Sequence, residues 1–188
     1  MNTIKQQLLA SAEVKRLVAE NLTEKIAQAA QMIIDSYRNG GKFILFGNGG
    51  SAADAQHLAG EMVGRFLKER AALPAIALST NTSILTALGN DYDFDVIFAR
   101  QLEAWTKKGD VVIGISTSGN SKNVLKGIEK AKSLNAQTLG LTGHGGGQLA
   151  KIVDLALIVP SDETPRIQEA HITIGHILCD IVERTLFE

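Results

Sequence analysis

Residues 42–61 read Lys42-Phe43-Ile44-Leu45-Phe46-Gly47-Asn48-Gly49-Gly50-Ser51-Ala52-Ala53-Asp54-Ala55-Gln56-His57-Leu58-Ala59-Gly60-Glu61. The first five residues are mostly apolar and β-prone, which predicts a short buried strand over 42–46. The glycines after it make a tight turn where backbone can approach a ligand closely. Ser51 falls where a helix N-cap belongs, and the Ala-rich run that follows predicts a helix over 52–64. A strand, a Gly/Ser turn and a helix N-terminus together make an anion site, because free N–H groups and the positive end of the helix dipole point at one spot. The turn matches neither the Walker pattern nor the dinucleotide fingerprint, so alone it names no ligand. His57 and Glu61 are spaced i, i+4 and share a helix face. On spacing alone they are an ordinary surface pair. Their place on a helix that starts at the glycine turn aims them at the same cleft.

Before this stretch, residues 3–20 read as a helix of mixed character. Residues 22–38 keep a 3.6-residue apolar stripe through Leu22, Ile26, Ala29, Ala30, Ile33, Ile34 and Tyr37, and Asn39-Gly40-Gly41 ends it. A small sheet cannot hide two leading helices, so the first is expected to pack against another subunit. The plainer alternative is a helix lying across its own domain.

After it, strands are predicted over 75–79, 111–115, 137–142 and 155–159. Helices are predicted over 83–88, 94–106, 122–134 and 165–186, with a polar turn at 90–93 and Thr164 as the N-cap of the last helix, ahead of Pro165. Strands alternate with helices, and the strands are continuous apolar runs. That pattern predicts a single domain over residues 1–188. The expected architecture is a three-layer α/β/α sandwich with a five-stranded parallel sheet, with residues 1–40 as the helical segment expected to pack in an oligomer. Ligands in such folds sit at the carboxyl ends of the strands, where the turns 47–51 and 116–121 fall.

Composition agrees with that class. The chain has 188 residues, 45% hydrophobic and 21% charged, enough for a substantial core. A net charge of −1 gives nucleic-acid binding no electrostatic support. The single cysteine, Cys179, can form no internal disulfide and reads as a small core residue. No apolar run approaches a membrane span, and the first residues lack the order of a signal peptide. A cytoplasmic protein is expected.

Two further stretches carry chemistry. Ser116-Thr117-Ser118-Gly119-Asn120-Ser121 holds four hydroxyls in six residues, between a buried strand and a helix. One N-cap needs one hydroxyl; four, with backbone N–H groups, can bind a phosphate dianion without a lysine. The last helix supplies Arg166, Gln168, Glu169, His171, His176 and Asp180. His171 and His176 are five apart and do not share a face well. His176 lies in an apolar context that suits a buried neutral imidazole equally, and His144 among glycines reads as exposed loop.

Together these residues resemble the sugar isomerase (SIS) domain family and, within it, the phosphoheptose isomerases. The marks are Gly47-Asn-Gly-Gly-Ser51, His57-x3-Glu61, Gly89-Asn-Asp91, Gly114-Ile-Ser-Thr-Ser-Gly-Asn-Ser121, Leu141-Thr-Gly143 and Arg166-Ile-Gln-Glu-x-His171…His176. They cover almost the whole chain. The resemblance implies a flavodoxin-like fold and an aldose–ketose isomerase acting on sedoheptulose 7-phosphate. It implies that Asn48, Gly49, Gly50, Ser51 and Gln168 line the sugar site, that Asn90 and Asp91 contact substrate, and that Ser116, Thr117, Ser118 and Ser121 hold the phosphate. Glu61 would be the base and His176 its acid–base partner. His57, Glu61, Gln168 and His176 match the family's zinc positions, one ion per subunit, in a homotetramer.

An aldose–ketose shift needs one group to carry a proton between C1 and C2 and another to move protons on O1 and O2. Glu61 and His176 supply a carboxylate and an imidazole. A carboxylate on zinc is a poorer base, so Glu61 either alternates between tasks or the metal is partly structural. Gln168 and His176 lie roughly 12 Å apart along a helix axis, whereas zinc bonds span only about 2 Å. The site is therefore expected between subunits, with ligands from more than one chain. A non-enzymatic relative, the initiator-associating protein of bacterial replication, is the alternative; it lacks the pair that Glu61 and His176 form. An arabinose 5-phosphate type of isomerase would usually carry a regulatory domain for which no chain is left.

Overall fold

In a computed structural model describing residues 2–188, the predicted strands form one parallel sheet. They are β1 (Phe43–Gly47), β2 (Ala75–Ala77), β3 (Val111–Ser116), β4 (Gln137–Thr142) and β5 (Leu155–Ile158), in the order β2-β1-β3-β4-β5. Phe43 pairs with Ala75 on one side and Val111 on the other. The helices are α1 (Asn2–Arg38), α2 (Gly50–Val63), α3 (Thr82–Asp91), α4 (Ile97–Trp105), α5 (Lys122–Ser133), α6 (Leu149–Ile152) and α7 (Thr164–Leu186).

Strand alternation sorts the core into two layers. Phe43, Leu45, Val111, Ile113, Ile115, Leu139 and Leu141 face α1, α2 and α7. Ile44, Phe46 and Val112 face α4, α5 and α6. Both faces are covered, as continuous apolar strands require. No helix among the described residues is long and apolar enough to cross a membrane.

Several local expectations are corrected. The two leading helices are one continuous α1, so the plural N-terminal helices become a single one. The segment holds no Gly or Pro. Asn21 and Thr23, which look like breakers, donate to the carbonyls of Leu17 and Ala19 one turn back and stay helical. Ser51 is not an N-cap: α2 begins at Gly50, with Gly49 capping at φ 55, and Ser51 is buried inside the first turn. Strand β2 stops at Ala77. The turn at 90–93 starts later, because α3 runs on through Asn90 and Asp91. The 94–106 helix divides into a 3-10 turn, Phe94–Val96, and α4. Glu163, not Thr164, precedes the first residue of α7, and Pro165 sits within its first turn.

Half of α1 belongs to the core. Val18, Leu22, Ile26, Ala29, Ile33 and Ile34 are buried, whereas Ile4 and Leu8 are each 67% exposed.

Candidate active site

β1 and β3 are neighbours from which the chain departs to opposite sides of the sheet, α2 to one face and α5 to the other. Such a switch point opens a crevice at the carboxyl ends of the strands. Asn48 leaves β1 there, and its amide exchanges two hydrogen bonds with Asn123 of α5, 2.9 and 2.8 Å. This reciprocal pair ties the two loops together. Neither helix N-terminus is capped by a side chain, since Gly49 has none and Ser121 makes no bond to its helix. Two uncapped N-termini thus open on one crevice, a favourable place for a phosphate.

The hydroxyl turn is built as a loop with internal support. Ser116 and Ser121 share a hydroxyl hydrogen bond of 2.9 Å. Ser118 Oγ accepts the Asn120 amide, and the Thr117 carbonyl accepts the amide of Gly143 from the β4 end. The loop is therefore held from behind by the segment after β4.

The candidate acid–base groups come from α2 and α7, which run side by side in the same direction. Gln168 lies against Gly50, Gly175 against Leu58 and His176 against His57. Gly175 makes this approach possible, because a Cβ there would stand 2.6 Å from Leu58 Cδ1. His57 Nε2 lies 2.9 Å from His176 Nε2 and 3.3 Å from Glu61 Oε1. Phe66 closes one side, its ring 5.7 Å from that of His176.

The model of the SIS domain family matches residues 9–143. The chain is 57% identical to a phosphoheptose isomerase of a Geobacter species (strain M21) over 100% of this chain and 97% of that protein. The chain belongs to the SIS-domain family, among its phosphoheptose isomerases. Solved phosphoheptose isomerases superpose on it closely. That from Neisseria gonorrhoeae gives a TM-score of 0.93 at 42% identity, covering 97% of this chain and 98% of its own. That from Francisella tularensis gives 0.94 at 40% identity, covering 97% of each. The initiator-associating alternative is not favoured.

Within this phosphoheptose isomerase framework the expected metal ligands separate into two places. One donor atom each from His57, Glu61 and His176 lies within 4.8 Å of the others. Two imidazoles and a carboxylate are a donor set that zinc accepts. Gln168 is not part of this cluster's packing; its amide stands at the other end of α2, where a Cβ on Gly50 would meet Nε2 at 2.6 Å. Asn90 and Asp91 hydrogen-bond each other at 2.8 Å and face solvent. His144 is exposed, as expected. His171 is the buried histidine, giving Nε2–H to the Thr142 carbonyl at 3.2 Å and leaving Nδ1 unpartnered. Burial lowers its pKa to about 4, against the opposing effect of that hydrogen bond.

Sequence reasoning missed Asn123, Phe66, Arg70 and Glu183. Asn123 was accessible in principle, as the polar residue just inside a helix that follows a hydroxyl turn. The other three carry no local signal. Glu183 accepts the amides of Phe66, Leu67 and Lys68 and pairs with Arg70 Nε at 3.0 Å. Burial alone would raise its pKa; those four donors outweigh it and hold the carboxyl below the ordinary glutamate value.

Proposed function

We propose that this protein converts D-sedoheptulose 7-phosphate to D-glycero-D-manno-heptose 7-phosphate, the first step of nucleotide-activated heptose biosynthesis. The observation that carries this reading is the meeting of Glu61 and His176 in a chain of the phosphoheptose isomerases that also carries an uncapped, hydroxyl-rich helix N-terminus. A carboxylate, an imidazole and a phosphate cradle are what an aldose–ketose shift on a sugar phosphate needs.

In this reading Ser116, Thr117, Ser118, Ser121 and the N-terminus of α5 hold the phosphate. Asn48, Gly49, Gly50, Ser51 and Gln168 line the sugar chain, and Asn90 and Asp91 reach it from α3. Glu61 takes a proton from C1 of the open-chain ketose, leaving a cis-enediol, and returns it to C2. His176 moves the proton between O1 and O2. No redox partner is needed, because one carbon gains the hydrogen that its neighbour loses.

The donor set of His57, Glu61 and His176 suits zinc, with Gln168 the fourth expected ligand. Zinc would polarise the substrate carbonyl as a Lewis acid. Gln168 and His176 sit about two turns apart on α7, the one against the first residue of α2 and the other against its middle. That separation favours a site shared between subunits, with Gln168 supplied by a neighbour in a homotetramer. A cytoplasmic location fits a sugar-phosphate substrate.

The test is NMR of the purified protein with sedoheptulose 7-phosphate in D2O. The expected result is the aldoheptose 7-phosphate with deuterium at C2. Glu61→Gln should lower kcat by about 10²–10⁴. No conversion by the parent, with or without added zinc, would overturn the reading.

A further inference from the structure

Glu61 sits in the last turn of α2, two residues before its end at Val63. Helix ends leave their final carbonyls without partners and tend to fray there. A base that must hold its place within a fraction of an ångström is poorly served by such a position. The chain answers this with Arg70. Its guanidinium donates to the carbonyl of Glu61 itself at 2.8 Å and to those of Met62 at 2.7 Å and Gly64 at 3.3 Å. A cation at the carboxyl end of a helix also complements its dipole.

Arg70 is held by Glu183, one helix away. Their side chains are 1% and 2% exposed. Glu183 lies seven residues after His176, two turns along the same side of α7. The two oxygens of Glu183 accept the Phe66, Leu67 and Lys68 amides at 2.9, 2.7 and 2.7 Å. Phe187 covers the guanidinium from its far side, 5.6 Å from ring centre to Cζ.

A buried ion pair is a weak source of stability, often replaceable by apolar side chains of equal volume. Apolar side chains could not satisfy three loop amides and the end of α2 at once. The pair joins both halves of the acid–base site. Through Arg70 it reaches the peptide of Glu61, and through the Phe66 amide it seats the ring that packs on His176.

We infer that the buried Arg70–Glu183 pair is the positioning device of this site: it pins the turn that carries Glu61 and sets Phe66 against His176. Neither residue touches the space between Glu61 and His176, so each acts through another. The inference rests on the isomerase reading for its kinetic arm only.

Glu183→Gln removes the charge while keeping the shape, and Phe66→Leu removes the ring while leaving the pair intact. The phosphate loop lies on β3 and α5, away from this corner. Positioning therefore predicts a fall in kcat of about tenfold or more for Glu183→Gln, with KM for sedoheptulose 7-phosphate little changed. Circular dichroism and the melting temperature establish that the variant is folded at the assay temperature. The second arm is the His176 ring cross-peak in a 13C-correlated spectrum of the assembled protein, assigned by its loss in His176→Asn. Both variants should move it by more than a linewidth. A lower melting temperature with unchanged kcat and an unmoved His176 signal would overturn the inference, leaving the pair structural only. A rise in KM with kcat unchanged would also overturn it. If Glu183→Gln does not fold, Phe66→Leu decides by the same two readouts. If the parent shows no isomerase activity, the proposed function fails and the His176 signal alone decides the positioning.

Discussion

His171 shows what one buried side chain does to the molecule as a whole. It is fully buried and neutral, and its pKa falls from 6.5 to about 4. Between those values the unfolded chain binds a proton that the folded chain refuses. Its contribution is thus complete above pH 6.5 and is lost as pH falls toward 4. Between pH 7.5 and pH 5 that amounts to about 2 kcal/mol. Urea unfolding at the two pH values should show the parent losing about that much more than His171→Gln, which keeps a donor for Thr142 but does not titrate. Equal losses would show that His171 is not the group responsible. At this scale, the glycine turn, the hydroxyl turn and the pair His57 and Glu61 were legible because each lies within a few neighbouring residues. The role of His171 was not, because nothing nearby in sequence tells it from His176. What separates them is that His171 turns toward β4 and His176 toward α2.

The elements that matter most are α2 and α7, lying parallel with Gly175 packed directly on the Leu58 side chain. Gly175→Ala would bring its new methyl to within 2.6 Å of the Leu58 methyl groups unless that buried side chain or one of the helices shifts. Alanine favours a helix over glycine by about 1 kcal/mol, but overpacking costs about 1–3 kcal/mol. The net expectation is a loss of stability, with α7 displaced from α2 and the His57–His176 pair separated. Denaturant unfolding and kcat should both fall; a variant more stable than the parent at unchanged kcat would show that the helices do not need so close an approach. Helix and strand periodicity gave the element order readily. It gave the ends less well, since α1 runs through two apparent breakers that bond back to their own helix. Arg70 and Glu183 were invisible for a different reason: they are 113 residues apart, and each reads as a surface charge until the fold brings them together.

At the scale of the whole molecule, the exposed apolar start of α1 and the separation of Gln168 from His176 lead to one expectation. Activity should depend on assembly. Kinetics over a dilution series, with the oligomeric state followed by sedimentation, should show specific activity falling as the assembly dissociates. A fully active monomer would place the whole site in one chain. The layered fold was legible from alternating apolar runs. The expectation of an oligomer rests on surplus helix alone, because a sequence shows which surface is apolar but not what covers it.

The sheet order also sets a schedule. β1 is the first strand made, yet it ends up between β2 and β3, and its pairing of Phe43 with Val111 spans 68 residues. On a ribosome adding about 5–20 residues per second, that interval is about 3–14 s. For those seconds Phe43-Ile-Leu-Phe46 is already synthesised while the strand that completes its pairing is not. The residues that later frame the crevice are thus, early on, an apolar edge awaiting its partner. The same central placement that lets β1 and β3 open a ligand site makes the newborn chain wait longest at its stickiest point.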